Sequence, residues 1–584
     1  MLKRGMRLGF AVVAGWVLSS LSAGAIAAET FPHWFPRSNG VSRTAVTYTK
    51  CGDCHRQPPE VEISPKAKPD IRAALLRGIR TSNWVTRTEE TIWLDHDRHV
   101  QAFAVLGNSQ SQHMAKLLGI DDATRDRRCL ACHSSKPVWE PGVEVEPNSP
   151  FLLTTAEATR FSFLVGVDCE GCHGPSEKPK GSAIPDWISE HTSTPDPNLD
   201  DPAEAAKFWR FYSPQTKLEH GYVDVRSPYV QTQMCLSCHM GDVTMGRIVT
   251  HEMFAAGHPP LPAFEVATFR HQMPPHWQPL SKKPPAVVAQ FNKLSAAPYN
   301  PGTSTDTRLM LLGALASVRQ YLILLSDLSQ PEAEFPGPDR ALRPPGPELA
   351  AFDCTACHHD LRDKSWRQTR QLKIPGRPLP RLWTSELAIV ALEIHKEGAE
   401  SLRQELAALR DALYAQPFGD SARLKEIAGS AVPKLDQWAQ ALEKRTWDSA
   451  DSLAVVRHIA ELGKGPLLDY ETARSYYWLA ALALHESKLE AAPAQAALSK
   501  VGSQFLTNLH SSSISNSGEG LLEAVENNRL PLLPKLTPGS VKTGDQAIEL
   551  LQVDLQRVFD PIAAYDPYVV QEGFSQLLIA IPAE

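Results

Sequence analysis

The sequence predicts a mainly α protein, in which a loop-rich part is followed by an all-helical part. Three observations support this fold class. Five copies of the pattern Cys-x-x-Cys-His are confined to residues 51–358. A proline-rich stretch from Ile374 to Arg381 follows them and cannot continue a helix. Beyond this stretch, leucines recur at helical spacing. The 584 residues also exceed the length at which a single core stops growing, so we expect more than one domain.

The first residues are typical of a secretory signal peptide. Three basic residues precede an apolar stretch from Leu8 to Ile26, and Ala25 and Ala27 are the small residues of a cleavage site. We assign residues 1–28 to the signal peptide and expect a periplasmic protein, secreted across the inner membrane. An uncleaved anchor is the alternative, because the stretch approaches the length that spans a bilayer. No later segment is expected to span one, so any membrane association would be peripheral.

All ten cysteines of the chain belong to the five copies of the pattern, numbered motifs 1 to 5 in chain order. The pattern is the attachment site of c-type haem. The two thiols form thioethers with the haem vinyl groups, and the adjacent His ligates the iron. We predict five covalently bound haem c groups, held by Cys51, Cys54 and His55, by Cys129, Cys132 and His133, by Cys169, Cys172 and His173, by Cys235, Cys238 and His239, and by Cys354, Cys357 and His358.

Other uses of paired cysteines fit the pattern less well. A zinc site would need a second pair at defined spacing and no His after each pair. A redox dithiol would occur once, and a disulfide framework would not repeat the same five-residue order. The formal net charge of −7 disfavours nucleic-acid binding, which needs clustered basic charge.

Residues 29–373 are predicted to form a pentahaem cytochrome c domain. Proline and glycine occur throughout, as expected where the chain surrounds large apolar haem plates. Short helices are expected to hold the His end of each motif. The segment from Asp306 to Leu325 is typical of one apolar helix packed beside the haems. A chain that ends near Arg381 is expected to bind all five haems.

Residues 382–584 are predicted to form an all-helical domain of about six to eight helices, with no assigned role. Leucines 402, 406, 409 and 413 form one stripe of an amphipathic helix. A second strong helix is predicted for Arg474 to His485. A third helix is predicted around Ile548 to Leu555, because Thr543 and Gln546 precede it with the spacing of a capping box. The segment from Ser511 to Gly520 is predicted to be a polar loop.

The supply of histidines is sufficient for a second ligand on every iron. Fifteen of the 20 histidines lie outside the motifs, and eleven of these precede the proline-rich stretch. Neutral imidazole is a strong metal ligand. Methionine would be an alternative ligand that raises the potential of its haem, and four residues are candidates: Met114, Met240, Met245 and Met253.

The run from Val167 to Pro175, followed by Trp187 and His191, resembles a family of multihaem cytochromes. The type member of this family is the tetrahaem cytochrome that accepts electrons from hydroxylamine oxidoreductase. This chain departs from that member in having five motifs and a long helical extension, so the resemblance does not imply the same partner. Further similar segments extend it over roughly residues 45–370: Asp97 to His99, Met114 to Gly119, Ala255 to Pro259, Met273 to Trp277 and Cys357 to Leu361.

The resemblance implies which histidines are the distal iron ligands. A distal ligand binds the face of the haem opposite the motif histidine. His359 directly follows the motif histidine of motif 5, so it cannot ligate the same iron. The implied distal ligands are His99, His191, His251 and His258, and the candidates for the fifth are His276, His359 and His33, in that order.

The motifs predict an electron-transfer protein, in which mostly bis-His haems pass electrons between redox partner proteins. No catalytic residue is assigned. The alternative is a reductase or oxidase of a small nitrogen or sulfur compound, which needs one five-coordinate haem. Motif 1 is the candidate for that haem, because its surroundings resemble the family least. All five motifs end in His, which favours electron transfer, and the oligomeric state stays open.

Overall fold

The computed structural model of the chain describes part of its length. The described residues are 51, 55, 88–124, 126–135, 166–174, 187–193, 209–294, 299–329, 348–354, 357–358, 380–415, 419–505 and 561–582. Several predictions lie outside them: the signal peptide, Cys54, the candidate ligands His33 and His359, the polar loop from Ser511 to Gly520, and the helix around Ile548 to Leu555.

The described residues form helices joined by turns and contain no strand. The described residues form two isolated β-bridges, one between Asp242 and Arg247 and one between Phe352 and Pro380. The mainly α fold class is therefore confirmed. The helices are α1 Glu89–His96, α2 Ser109–Leu117, α3 Arg127–His133, α4 Cys169–His173, α5 Trp187–Ser193, α6 Pro214–Glu219, α7 Pro228–His239, α8 His251–Ala256, α9 Val266–Gln272, α10 Pro285–Leu294, α11 Thr305–Leu328, α12 Ser385–His395, α13 Ala399–Tyr414, α14 Ser421–Lys444, α15 Ser449–Gly463, α16 Tyr470–Glu486, α17 Ala492–Gly502 and α18 Pro567–Ala580.

The long apolar helix α11 lies at the centre of the fold. It confirms the predicted helix and extends it by three residues at its C-terminal end. Its main neighbours are α14, α7 and α12. By length and composition alone α11 could cross a membrane, contrary to our expectation for this part of the chain. However, 94% of the apolar 18-residue segment of α11 is buried inside the fold, so α11 packs as a core helix.

Helices α12 to α18 confirm the helical character of the second part. The leucine stripe lies on α13, and all four leucines are buried. The predicted helix from Arg474 to His485 lies within α16. The described residues of this part form seven named helices, and the predicted total of six to eight for residues 382–584 stays a prediction.

One hydrophobic core extends across the proline-rich stretch. Tyr229 and Leu236 of α7, Leu315 of α11, Leu387 of α12 and Tyr477 of α16 all belong to it and are buried. Helix α7 ends at the histidine of motif 4, so this core includes a helix that holds a motif. The division into two domains stays a prediction, and the apolar contacts connect the two parts closely.

A buried polar contact joins the same helices. Asp436 of α14 accepts hydrogen bonds from the Arg319 Nε atom of α11, at 2.6 Å, and from the Tyr229 hydroxyl of α7, at 2.9 Å. Asp436 and Arg319 are each 1% exposed. A carboxylate in this position offsets the cost of burying the guanidinium. The contact fixes α7 relative to a helix that lies two hundred residues further along the chain.

Residues at the end of the proline-rich stretch hold the segment before motif 5. The buried guanidinium of Arg381 donates to the carbonyl of Ala350, at 3.3 Å, and to that of Leu261, at 3.2 Å. Trp383 Nε1 donates to Asp353 Oδ2 at 3.2 Å, directly before Cys354. Motif 5 is therefore positioned by residues that follow it in the chain.

We predict that a chain truncated after Arg381 is not matured with five haems. Without α12 to α18, the buried faces of α7 and α11 would be exposed to solvent. The shared core thus changes the expectation from the sequence. Intact-mass measurement on the truncated and the full-length chain, produced together, would count the attached haems. A truncated chain with five haems would show that the first part folds independently.

We also predict that Asp436→Ala lowers the free energy of unfolding by about 3–5 kcal/mol, because the variant buries the Arg319 guanidinium without this carboxylate. Denaturant unfolding followed by circular dichroism measures the change. Glu426→Ala is the matched control, because Glu426 is an exposed carboxylate on the same helix. It should change the free energy by less than about 0.5 kcal/mol. Equal effects of the two substitutions would contradict the proposed role of the buried pair.

Candidate haem sites

Three motifs lie at the ends of short helices, as predicted. Helices α3, α4 and α7 end at His133, His173 and His239. Residues three and four apart share one face of a helix, so the thiols and the imidazole of a motif point to the same side. Their N-caps are side-chain oxygens of Asp126, Asp168 and Ser227.

The other two motifs have the same local form where they are described. In motif 5, the backbone N–H of His358 donates to the carbonyl of Cys354 at 2.7 Å, which closes a helical turn. In motif 1, Cys51 and His55 both have helical backbone. The described residues of motifs 1 and 5 are thus compatible with the helical spacing of motifs 2 to 4.

Each motif histidine lies opposite one histidine from outside the motifs. We number these imidazole pairs by their motif. The distances between ring centroids fall in a narrow range: 6.1 Å for His55–His191 in pair 1, 6.5 Å for His133–His258 in pair 2, 6.5 Å for His173–His276 in pair 3, 6.3 Å for His239–His99 in pair 4 and 6.2 Å for His358–His251 in pair 5.

This spacing fits two imidazoles on one metal ion. A metal–nitrogen distance of about 2 Å, plus about 1.1 Å from the nitrogen to the centre of its ring, gives about 6.2 Å between centroids. Direct stacking would bring the rings closer. The five separations therefore agree with a haem iron between the rings of each pair.

The partners in the pairs come from distant parts of the chain. His191, which follows motif 3 in sequence, lies opposite the histidine of motif 1. His99, which precedes motif 2, lies opposite the histidine of motif 4. The four histidines implied by the resemblance all occur in pairs. His276, the first of the three candidates for the fifth position, completes pair 3.

Hydrogen bonds at Nδ1 orient three of the paired histidines. The Nδ1 atom of His99 lies 2.9 Å from Asp97 Oδ1, that of His133 lies 2.6 Å from the carbonyl of Ala102, and that of His258 lies 2.8 Å from the carbonyl of Pro259. With Nδ1 engaged as a donor, Nε2 is the atom left to bind a metal. The Asp-x-His spacing at residues 97–99 was the sequence signal for the first of these contacts.

Burial keeps most of the paired imidazoles neutral, which is the form that binds iron. It removes water from the charged imidazolium and so lowers the pKa. The pKa falls to about 3 for His173 and His239, to about 4 for His191 and His258, and below its usual value for His133 and His276.

His99 differs from these residues because it has a carboxylate beside it. Burial by itself would lower the pKa of His99, but the hydrogen bond and the charge of Asp97 raise it overall. The same contact lowers the pKa of Asp97, against the effect of burial. An anionic partner at Nδ1 also makes Nε2 a stronger electron donor to a metal.

The other described histidines have ordinary surroundings. His271 Nε2 lies 3.2 Å from Asp306 Oδ2, and His96 is exposed. In the helical part, His395 and His458 lie within 4.0 Å of carboxylates. None of these four lies opposite a motif histidine within the described residues.

The paired histidines surround one large cavity. Its volume is 2540 Å³, and residues of pairs 1 to 4 line it together with Cys354. A pocket for one small organic ligand has a volume of about 300–1,000 Å³. The space is therefore suited to several macrocycles that lie close together.

Cysteines of different motifs line the same cavity. The thiol of Cys51 and burial both raise the pKa of Cys169, which indicates that motif 1 lies near motif 3. Burial and the charge of Cys235 raise the pKa of Cys172, which indicates that motif 3 lies near motif 4. Motif 4 in turn lies near motif 2, because the thiol of Cys238 raises the pKa of Cys132.

Arg247 connects motifs 2 and 4 directly, and no pattern in the sequence predicted this role. Its Nε atom donates to the carbonyl of Ala131 at 2.9 Å, within motif 2. Its Nη1 atom donates to Ser237 Oγ at 2.6 Å, within motif 4. The buried guanidinium thus sets the distance between the two motifs.

One comparison with known proteins found a match. Residues 87–174 match the family model of cytochrome c554 and c-prime, and this segment contains motifs 2 and 3 and His99. The match supports a multihaem c-type cytochrome. The match also supports covalently bound haem c and an electron-transfer role for this cytochrome. It does not single out the tetrahaem type member of the family. No curated protein and no solved structure matches the chain.

We predict that His276→Ala changes the spin state of one haem of the cytochrome. Loss of the second imidazole would leave the iron bound by His173 five-coordinate and high-spin. Electron paramagnetic resonance of the oxidised protein measures this change. His271→Ala is the control, because His271 is close in sequence and lies against Asp306 instead of a motif histidine. An unchanged low-spin spectrum for His276→Ala would contradict the geometry of pair 3.

Proposed function

We propose that the protein is a periplasmic pentahaem c-type cytochrome that carries electrons between redox partner proteins. The observation that supports this function is the set of five imidazole pairs, one at each motif, with centroid distances from 6.1 to 6.5 Å. When bound, each haem supplies an iron that accepts and releases one electron. At each motif, the motif histidine and its partner histidine would hold the iron.

Two imidazoles on each iron favour electron transfer over substrate chemistry. A reductase or oxidase of a small nitrogen or sulfur compound would need an iron with an open position. Motif 1 was the candidate for such an iron, yet His191 lies opposite His55 in pair 1. A six-coordinate iron that keeps its ligands also changes little in structure on reduction, which favours fast electron exchange.

The contacts between motifs give the path that we propose for the electrons. The cysteine contacts order the motifs as 1, 3, 4 and 2. Motif 5 follows motif 2, because their distal ligands, His251 and His258, lie at the two ends of helix α8 and its C-terminal turn. Motifs 1 and 5 are then the terminal sites, where partner proteins would deliver and remove electrons.

The proposed location follows from the assembly chemistry. Haem c is attached outside the cytoplasm, and the predicted signal peptide would direct the chain there. The formal net charge of −7 favours partners with cationic surfaces. Salt screens such long-range attraction, so the effect would be on the rate of encounter more than on affinity.

We predict five haems per mature chain, all of them low-spin when oxidised. Intact-mass measurement counts the covalently attached groups, and electron paramagnetic resonance reports the spin state of each iron. A sample denatured before the mass measurement is the control for loosely bound haem. A high-spin ferric signal in the native protein would support the enzymatic alternative, and a mass without attached haem would contradict both functions.

A further inference from the structure

A cluster of cations lies on the wall of the haem cavity, and Lys217 is its buried member. Lys217 is 3% exposed, and its ammonium lies 3.2 Å from Asp224 Oδ2. Arg226 binds the same carboxylate through two nitrogens, with Nε at 2.7 Å from Asp224 Oδ1. Both cations also donate to the carbonyl of Arg210, at 3.3 and 3.2 Å.

The cluster has more positive charge than this carboxylate neutralises. Asp224 is shared by Lys217 and Arg226, and the arginine occupies it in the stronger bidentate geometry. Burial lowers the pKa of Lys217 to about 8, against the attraction of Asp224 and together with the repulsion from the two arginines. A buried ammonium is costly unless an anion compensates it. A second anionic group beside Lys217 would remove this cost.

The position of the cluster indicates which anion it could meet. Lys217, Arg210 and Arg226 all line the haem cavity. The Lys217 ammonium lies 5.9 Å from the ring of Trp209, and that ring lies 6.4 Å from the ring of His191. The charge of Lys217 also acts on the imidazole of His191 directly. The same ammonium lies 5.7 Å from the ring of Tyr222, which lies 5.5 Å from the ring of His173. The cluster is therefore adjacent to pairs 1 and 3, and the effect of the Lys217 charge on His191 favours pair 1.

We propose that Lys217, assisted by Arg210 and Arg226, binds a propionate carboxylate of the haem attached at motif 1. This inference rests on the proposed function, because it requires a haem between His55 and His191. Each haem has two propionate groups, and a carboxylate of this kind supplies the missing negative charge without a separate ligand. A free anion such as inorganic phosphate has the same chemistry, and the experiment separates the two sources.

The contact has a consequence for the redox equilibrium of this haem. Reduction adds one electron to the iron and thus lowers the positive charge of the site by one. A free propionate carboxylate opposes reduction of the iron, because it repels the added electron. A cation bound to the propionate weakens this repulsion and itself favours reduction. Lys217 therefore raises the reduction potential of the haem of pair 1 relative to a site without the cation.

The test uses the full-length, haem-loaded protein with Lys217→Met. We expect the potential of one haem to become more negative, with a change of about tenfold in its reduction equilibrium, or about 59 mV for a one-electron couple. Spectroelectrochemical titration measures the potentials, and resonance Raman spectroscopy shows the bending bands of the propionates, which should shift for one haem. Lys217→Arg should retain the wild-type values, because it keeps the charge.

Controls make the outcomes distinct. Lys217→Gln keeps a hydrogen bond to Asp224 without the charge. This variant replaces Lys217→Met in the test if Lys217→Met is not matured with haem. Lys282→Met removes an exposed lysine and should leave every potential unchanged. Wild-type potentials that vary with added inorganic phosphate would assign the cluster to a free anion and overturn the proposal. Unchanged potentials and bands in Lys217→Gln would also overturn it, and five reversible haems in that case would leave the proposed function intact.

Discussion

The separation between two imidazole rings is the constraint on which this structure depends. If each pair binds one iron, the metal holds two ring nitrogens at opposite ends of one short axis and so constrains the backbone segments behind both rings. In pair 1 these segments are 136 residues apart in sequence, and in pair 4 they are 140 residues apart. Five such constraints would join distant segments of the first part of the chain.

The second part of the chain supports these constraints from one side. Helix α11 lies between the two parts, and its buried side chains contact α7 as well as α12 and α14. Asp436 and Arg381 then position α7 and the segment before motif 5 by hydrogen bonds. A role in holding the haem-binding segments therefore accounts for the helical part without a ligand of its own. It also accounts for the apolar core that joins described helices of both parts.

The sequence predicted the cofactor chemistry and the helices well, because both depend on local patterns. A motif of five residues specifies a haem, and a leucine stripe specifies the buried face of α13. The pairing of His191 with His55 could not be predicted in this way, since it depends on contacts between distant segments. The resemblance to a known family supplied the distal histidines, and it could not rank His276 above other candidates by physical argument.

The domain boundary shows the same limit. Proline residues between 374 and 381 indicate where a helix ends, and they do not indicate whether the flanking parts share a core. The hydrogen bond between Tyr229 and Asp436 joins residues 207 positions apart, and neither residue has a local pattern that identifies its partner. Arg247 likewise connects motifs 2 and 4 only after the chain has folded. Long-range polar contacts of this kind are specified by tertiary structure.

The arrangement of His251 and His258 has a consequence for assembly. The two residues are seven positions apart, on α8 and the turn at Gly257, and they lie opposite the histidines of motifs 5 and 2. Helix α8 has six residues, so one short element and its C-terminal turn carry both histidines. Docking of α8 against the motif-bearing segments would therefore bring an imidazole opposite two motif histidines in one event. A substitution that weakens this docking would alter both pairs together.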